Sequence, residues 1–147
     1  MNLNFSEDMP VYSIGTAAKL LNVSVHTLRM YEREGLFIPF KKDSSQRLFS
    51  KKDLERISCI RQAINESKIS INGIKAIYSL IPCWEVKKCS KTGRKNCLAF
   101  VEHSKPCWTY KHKANDCEGN SCRDCDVYTN YSQCKNIKEL LKSMVRK

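Results

Sequence analysis

Eight of the nine cysteines in this 147-residue chain lie between Cys83 and Cys134: Cys83, Cys89, Cys97, Cys107, Cys117, Cys122, Cys125 and Cys134. Thiols at that density ligate a metal or cluster, cross-link as disulfides, or act as a redox switch. The N-terminal stretch Met1–Pro10 is polar and acidic, unlike a secretory signal, and no apolar run approaches the roughly 20 residues of a membrane span. The expectation is a cytoplasmic chain with no membrane partner. A reducing cytosol disfavours disulfides, so all eight of these cysteines are candidate metal ligands. Zinc ribbons usually carry two close Cys-x-x-Cys pairs, and here only Cys122-Arg-Asp-Cys125 has that spacing. Cys117-x4-Cys122-x2-Cys125, with Cys134 downstream, follows the plant-type two-iron spacing in outline. An iron–sulfur cluster is therefore the favoured cofactor, zinc the second, and disulfides or a thiol switch the third.

The segment holding these cysteines has few aliphatic residues. About 50 residues with so little apolar content need a staple, and metal binding of about 10–16 kcal/mol is enough to order them. Pro82-Cys83-Trp84 recurs as Pro106-Cys107-Trp108, which suggests two related halves with the tryptophans shielding the site. Cys59, the one cysteine outside the segment, falls in an expected helix and reads as core packing. Nothing in the chain has the pattern of a nucleophilic triad, a phosphate-cradling loop or paired carboxylates, so the protein is not expected to be an enzyme.

The elements that must position this chemistry precede it. Ser13 can cap a helix carrying Ile14, Ala17, Ala18 and Leu21, and Ser24 can cap a second carrying Val25, Leu28 and Tyr31, which Gly35 ends. Two short helices joined by Leu21–Ser24 suggest a helix-turn-helix. Pro39, the polar tip Lys41–Ser45 and Arg47-Leu48-Phe49 read as a β-hairpin wing. Ser50 and Asp53 have capping-box character and open a helix to about Glu66. Ser70 can cap a fourth helix, which Pro82 stops. The excess of eleven positive charges favours an anionic partner such as nucleic acid.

Tyr12-Ser13-Ile14-Gly15, Ala17-Ala18, Val23-Ser24, the run Thr27–Leu36, Arg47-Leu48-Phe49-Ser50 and Asp53–Ile57 together resemble DNA-binding domains of the mercury-resistance regulator (MerR) type. Leu28-Arg29-Met30-Tyr31-Glu32 is most similar to the heat-shock-repressor branch. The resemblance implies a winged helix-turn-helix on double-stranded DNA, acting as a homodimer on a promoter inverted repeat, with RNA polymerase as a candidate further partner. A helix entering the major groove needs small or polar residues at its N-terminal end and cations beside it. Val25, His26 and Thr27 occupy that end, behind the cap at Ser24, itself a DNA-binding candidate; His26 and Thr27 are candidates for base edges, and Arg29, Tyr31, Lys41, Lys42 and Arg47 are candidates for phosphate. Phe49 stands where many relatives carry tyrosine. Residues 82–128 resemble the two-CW type of cysteine-rich module, which implies little about ligand. A superoxide-sensing relative carries a cluster, on a different and more compact cysteine motif.

The expected fold is mainly α. It comprises a flexible N-terminus (1–10), a MerR-type winged helix-turn-helix of four helices and a wing (11–81), a small metal- or cluster-stabilised cysteine-rich domain (82–134) and a C-terminal amphipathic helix (135–147). Ile137, Leu140, Leu141, Met144 and Val145 form one stripe on that last helix, which can supply the dimer contact. The function expected is a DNA-binding transcriptional regulator that senses redox state or metal status through its cysteines. Two alternatives stay open: an electron-transfer protein using the winged helix as a docking module, and an excisionase-like DNA-architecture factor with a structural zinc tail.

Overall fold

The computed structural model describes residues 6–102, 104–131 and 137–145. The N-terminal half runs β1 (Tyr12–Ser13), α1 (Ile14–Leu21), α2 (Val25–Arg33), β2 (Phe40–Lys41), β3 (Arg47–Phe49), α3 (Lys51–Asn65) and α4 (Ile71–Ser79). Serine starts each helix. The Ser13, Ser24, Ser50 and Ser70 hydroxyls accept the backbone N–H of Thr16, Thr27, Asp53 and Gly73, so each of these four helices begins with one orphan donor satisfied. At α3 the box is reciprocal, because the Asp53 carboxylate also accepts the Ser50 N–H at 2.8 Å. Asn22, in the left-handed conformation, ends α1, and the chain turns directly into Ser24 and α2.

The strands form one antiparallel sheet in the order β1-β3-β2, with Tyr12 opposite Phe49 and Lys41 opposite Arg47. The hairpin expected from Pro39 to Phe49 is therefore present. Its third strand, β1, lies immediately before α1, where the cap at Ser13 was the stronger sequence signal. At the wing tip Lys42 N–H donates to Gln46 and Ser45 N–H to Lys42.

After α4 come three short helices, α5 (Cys83–Val86), α6 (Lys91–Lys95) and α7 (Leu98–Val101), then a 3-10 turn at Cys107–Thr109, a π-helical turn at Val127–Tyr131, and α8 (Ile137–Val145). This segment is not a separate globule strung behind the first. Leu28, Leu36, Phe49, Ile57 and Ile60 are buried together, and Trp108, Val127 and Tyr128 belong to the same apolar cluster. Burying a side chain of that size stabilises by about 1.5–3 kcal/mol, so the cysteine-bearing segment completes the core of the N-terminal half. No helix among the described residues is long and apolar enough to cross a membrane.

Candidate nucleic-acid interface and thiol cavity

The residues singled out for DNA fall on two neighbouring elements. Ser24, His26 and Arg29 are exposed on the cap and first two turns of α2, and Thr27 is half-buried with its hydroxyl 2.9 Å from that of Ser24. Lys41 and Lys42 are exposed on the wing. Two other candidates are already engaged. The Tyr31 ring lies in the core, 3% exposed, and its hydroxyl accepts a long hydrogen bond from Arg61. Arg47 forms a two-pronged ion pair with Glu32 of α2 through Nε and Nη2, the latter at 2.9 Å. That fork ties the wing to α2 and leaves the Nη1 hydrogens of Arg47 for another acceptor. Nothing in the sequence distinguished Glu32 as its partner.

Seven of the described cysteines gather in the second half of the chain. Cys83, Cys89, Cys97, Cys107, Cys117, Cys122 and Cys125 are all free thiols, and all seven line one cavity with Trp84, Phe100, Trp108, His112, Val127 and Tyr128. The cavity is small, with a volume of about 30 Å³, so its walls lie close together. Cys134 lies outside the described residues. Cys59, expected as a packing thiol, is half-buried and disulfide-bonded and does not line the cavity.

The electrostatics of the cavity disfavour several bare thiolates. Contact with the Cys83 thiol, and then burial, drives the Cys107 thiol far up, while the same contact draws Cys83 down. Burial pushes Cys117 up to about 12 and raises Cys89 and Cys122. A bound cation would supply the missing positive charge, since a coordinating thiol is deprotonated outright. Among the described residues, however, no three His, Cys, Asp or Glu side chains are spaced to hold one metal ion. Around a single zinc the ligand sulfurs sit about 2.3 Å from the metal and so crowd together. The thiols are the donor type that zinc and iron–sulfur clusters take, but the cavity as it stands is too narrow, and its thiols too far apart, to hold a metal ion without rearrangement.

The cavity wall is also what grips the DNA-binding half. Trp108 Nε1–H donates to the Gly35 carbonyl at 2.8 Å. The Tyr128 hydroxyl accepts the Ile38 N–H at 2.8 Å, and its backbone carbonyl accepts from Arg56 at 2.9 Å. Arg123 clasps buried Asp53 with both Nη atoms, at 3.0 and 2.7 Å, and also donates to the Ile38 carbonyl. None of these three partners was identifiable from the sequence, because each lies more than 60 residues from its anchor.

Residues 12–80 match the family model of MerR helix-turn-helix regulatory proteins. Over 75 residues the chain is 37% identical to a putative heat shock protein HspR of Streptomyces coelicolor, covering 51% of this chain and 50% of that protein. It is 38% identical over 68 residues to a ZntR homolog of Haemophilus influenzae, described as an HTH-type transcriptional regulator, covering 46% and 50%. It is 33% identical over 72 residues to the HTH-type transcriptional regulator MlrA of Salmonella typhimurium, covering 48% and 29%. The chain thus spans half the length, or less, of these relatives. Residues 12–80 are thus similar to MerR helix-turn-helix regulatory proteins, and a heat shock protein stands among the relatives, in line with the resemblance read from Leu28–Glu32.

Proposed function

We propose that this protein is a DNA-binding transcription regulator whose thiol-lined cavity is its sensing site. One observation carries the DNA-binding reading: Ser24, His26 and Arg29 are exposed at the start of α2 while Lys41 and Lys42 are exposed on the wing of the same MerR-family domain. In this reading α2 lies in the major groove, where His26 and Thr27 meet base edges, and the wing cations and Arg29 meet phosphate. The protein acts as a homodimer on a promoter inverted repeat, with RNA polymerase as a further partner. The dimer contact is placed on α8, where Leu141 and Val145 are exposed. Neither a membrane partner nor a catalytic step belongs to this reading.

The sensing reading rests on the route from cavity to DNA. Trp108 and Tyr128 line the cavity, and they hold Gly35 at the end of α2 and Ile38 at the root of the wing. A thiolate-ligated metal group, iron–sulfur in preference to zinc, would part these walls when bound, and its oxidation or loss would alter the same two anchors.

The test is anaerobic purification with metal and sulfide analysis, then binding of the chain's own promoter region by loaded, oxidised and metal-free protein. Tight binding in one state and weaker binding in another is the expected result. Equal affinity in all three states removes the sensor and leaves the regulator; equal affinity for promoter and random duplex in every state removes the regulator.

A further inference from the structure

Trp108 also belongs to a second and larger cavity, an open cleft of about 440 Å³ between the end of α2, the wing and the cysteine-bearing segment. Two cations line it, Arg33 of α2 and Lys41 of the wing. Both are exposed, and neither is in an ion pair among the described residues. The one carboxylate on its wall, Glu32, is already neutralised by the two prongs of Arg47. The cleft therefore carries uncompensated positive charge.

The cysteine-bearing segment supplies Trp108 and Thr109 to the same wall and then adds charge of its own. From 103 to 115 the sequence has Lys105, Lys111 and Lys113 and not one Asp or Glu. Two of these lysines are occupied or offset. Lys105 lies over the Tyr110 ring, 4.5 Å from its centroid, and Lys113 adjoins Ala114, whose N–H is held by the Glu118 carboxylate at 2.8 Å. Lys111 is exposed and has neither kind of partner among the described residues. Tyr110 is extended, with φ of −92° and ψ of 151°, and its ring is buried. Side chains alternate along extended chain, so Thr109 and Lys111 fall together on the side away from that ring. Thr109 faces the cleft, which puts Lys111 at its edge.

We infer that Arg33 and Lys111 bind the phosphodiester backbone of duplex DNA beside the wing, so that the cysteine-bearing segment touches DNA itself as well as holding α2. The inference rests on the DNA-binding reading. Continuity selects the partner: Lys41 lies in this cleft and on the wing assigned to phosphate, so a strand seated on Lys41 carries its neighbouring phosphates past Arg33 and Lys111. Phosphate contacts of this kind fix position on the duplex and carry no sequence information.

The experiment uses the full chain, purified anaerobically, in titrations of its own promoter duplex and of a random duplex at several salt concentrations. Arg33→Gln and Lys111→Gln remove the charge and keep much of the side chain. Each should lower the slope of log affinity against log salt by about 0.9. Affinity for the two duplexes should fall alike, leaving their ratio unchanged. Lys91→Gln, at an exposed lysine of α6 in the same segment, should leave the slope as it was. An unchanged slope in Lys111→Gln, where Arg29→Ala lowers it, overturns the contact from the cysteine-bearing segment and leaves the DNA-binding reading intact. A slope lowered as much by Lys91→Gln as by Lys111→Gln overturns it too, because that result reports overall charge. A wild-type chain that binds neither duplex removes both the inference and the reading beneath it.

Discussion

The indole N–H of Trp108 donates to the carbonyl of Gly35, 73 residues earlier, at 2.8 Å. Gly35 ends α2 with φ of +75°, and Trp108 stands edge-on to Tyr128 with ring centroids 5.2 Å apart. One ring therefore forms part of the thiol cavity and holds the end of the helix assigned to DNA. Trp108→Phe keeps most of the apolar packing and removes the donor, leaving a half-buried carbonyl short of a partner. A loss of about 1 kcal/mol is expected in urea unfolding. If the cavity signals through this bond, the variant should also bind promoter DNA alike in its loaded and metal-free states. A variant with unchanged stability and an intact state dependence would show that the bond is incidental.

Gly35 itself is constrained twice. A left-handed φ is costly for any side chain, and a Cβ at this position would run into the γ-methyl of Thr109. Gly35→Ala should cost about 1–3 kcal/mol, measured as a lower urea midpoint with unchanged slope. Gly35→Ala combined with Thr109→Ser removes the methyl and should recover part of that loss, which separates the clash from the backbone strain.

Asp53 serves two elements. It closes the capping box of α3 and takes both prongs of Arg123, with its side chain 3% exposed. Arg123→Ala leaves this carboxylate with Arg56 at 3.8 Å as its nearest remaining cation. Breaking a buried pair costs about 3–5 kcal/mol, and the lower end applies because Arg123 is partly exposed and Arg56 remains. Asp53→Asn with Arg123→Ala should be less destabilising than the sum of the single changes, and a double-mutant cycle of unfolding free energies measures the difference. Strict additivity would contradict the pairing.

The parts of this architecture that could be read from the sequence are the local ones. Ser13, Ser24, Ser50 and Ser70 each stand immediately before a helical apolar pattern, and each caps its helix, because capping depends on residues three apart. The wing was legible from Pro39, its polar tip and the Arg47–Phe49 run. Trp108–Gly35, Tyr128–Ile38 and Arg123–Asp53 were not, since each joins positions with no shared periodicity. The spacing of the cysteines likewise did not show that Cys83 and Cys107 line one cavity, although the repeated Pro-Cys-Trp hinted at a paired role.

Arg29 and Arg47 separate cations free to meet phosphate from cations already used in the fold. Arg29 is exposed on α2, whereas Arg47 is two-pronged to Glu32, with side-chain exposures of 30% and 17% for that pair. Removing one cation from a phosphate should lower the slope of log affinity against log salt by about 0.9. Arg29→Ala should therefore show nearly that full change with unfolding stability unaffected. Arg47→Ala should weaken promoter binding through two effects, removal of its remaining donors and release of the wing from α2, so affinity falls by more than the change in salt slope accounts for. Glu32→Gln, which leaves Arg47 in place but weakens the tie, should reproduce the loss of wing anchoring without removing the cation. Titrations of the promoter duplex at several salt concentrations measure all three, and an unchanged slope in Arg29→Ala would displace the DNA from the start of α2.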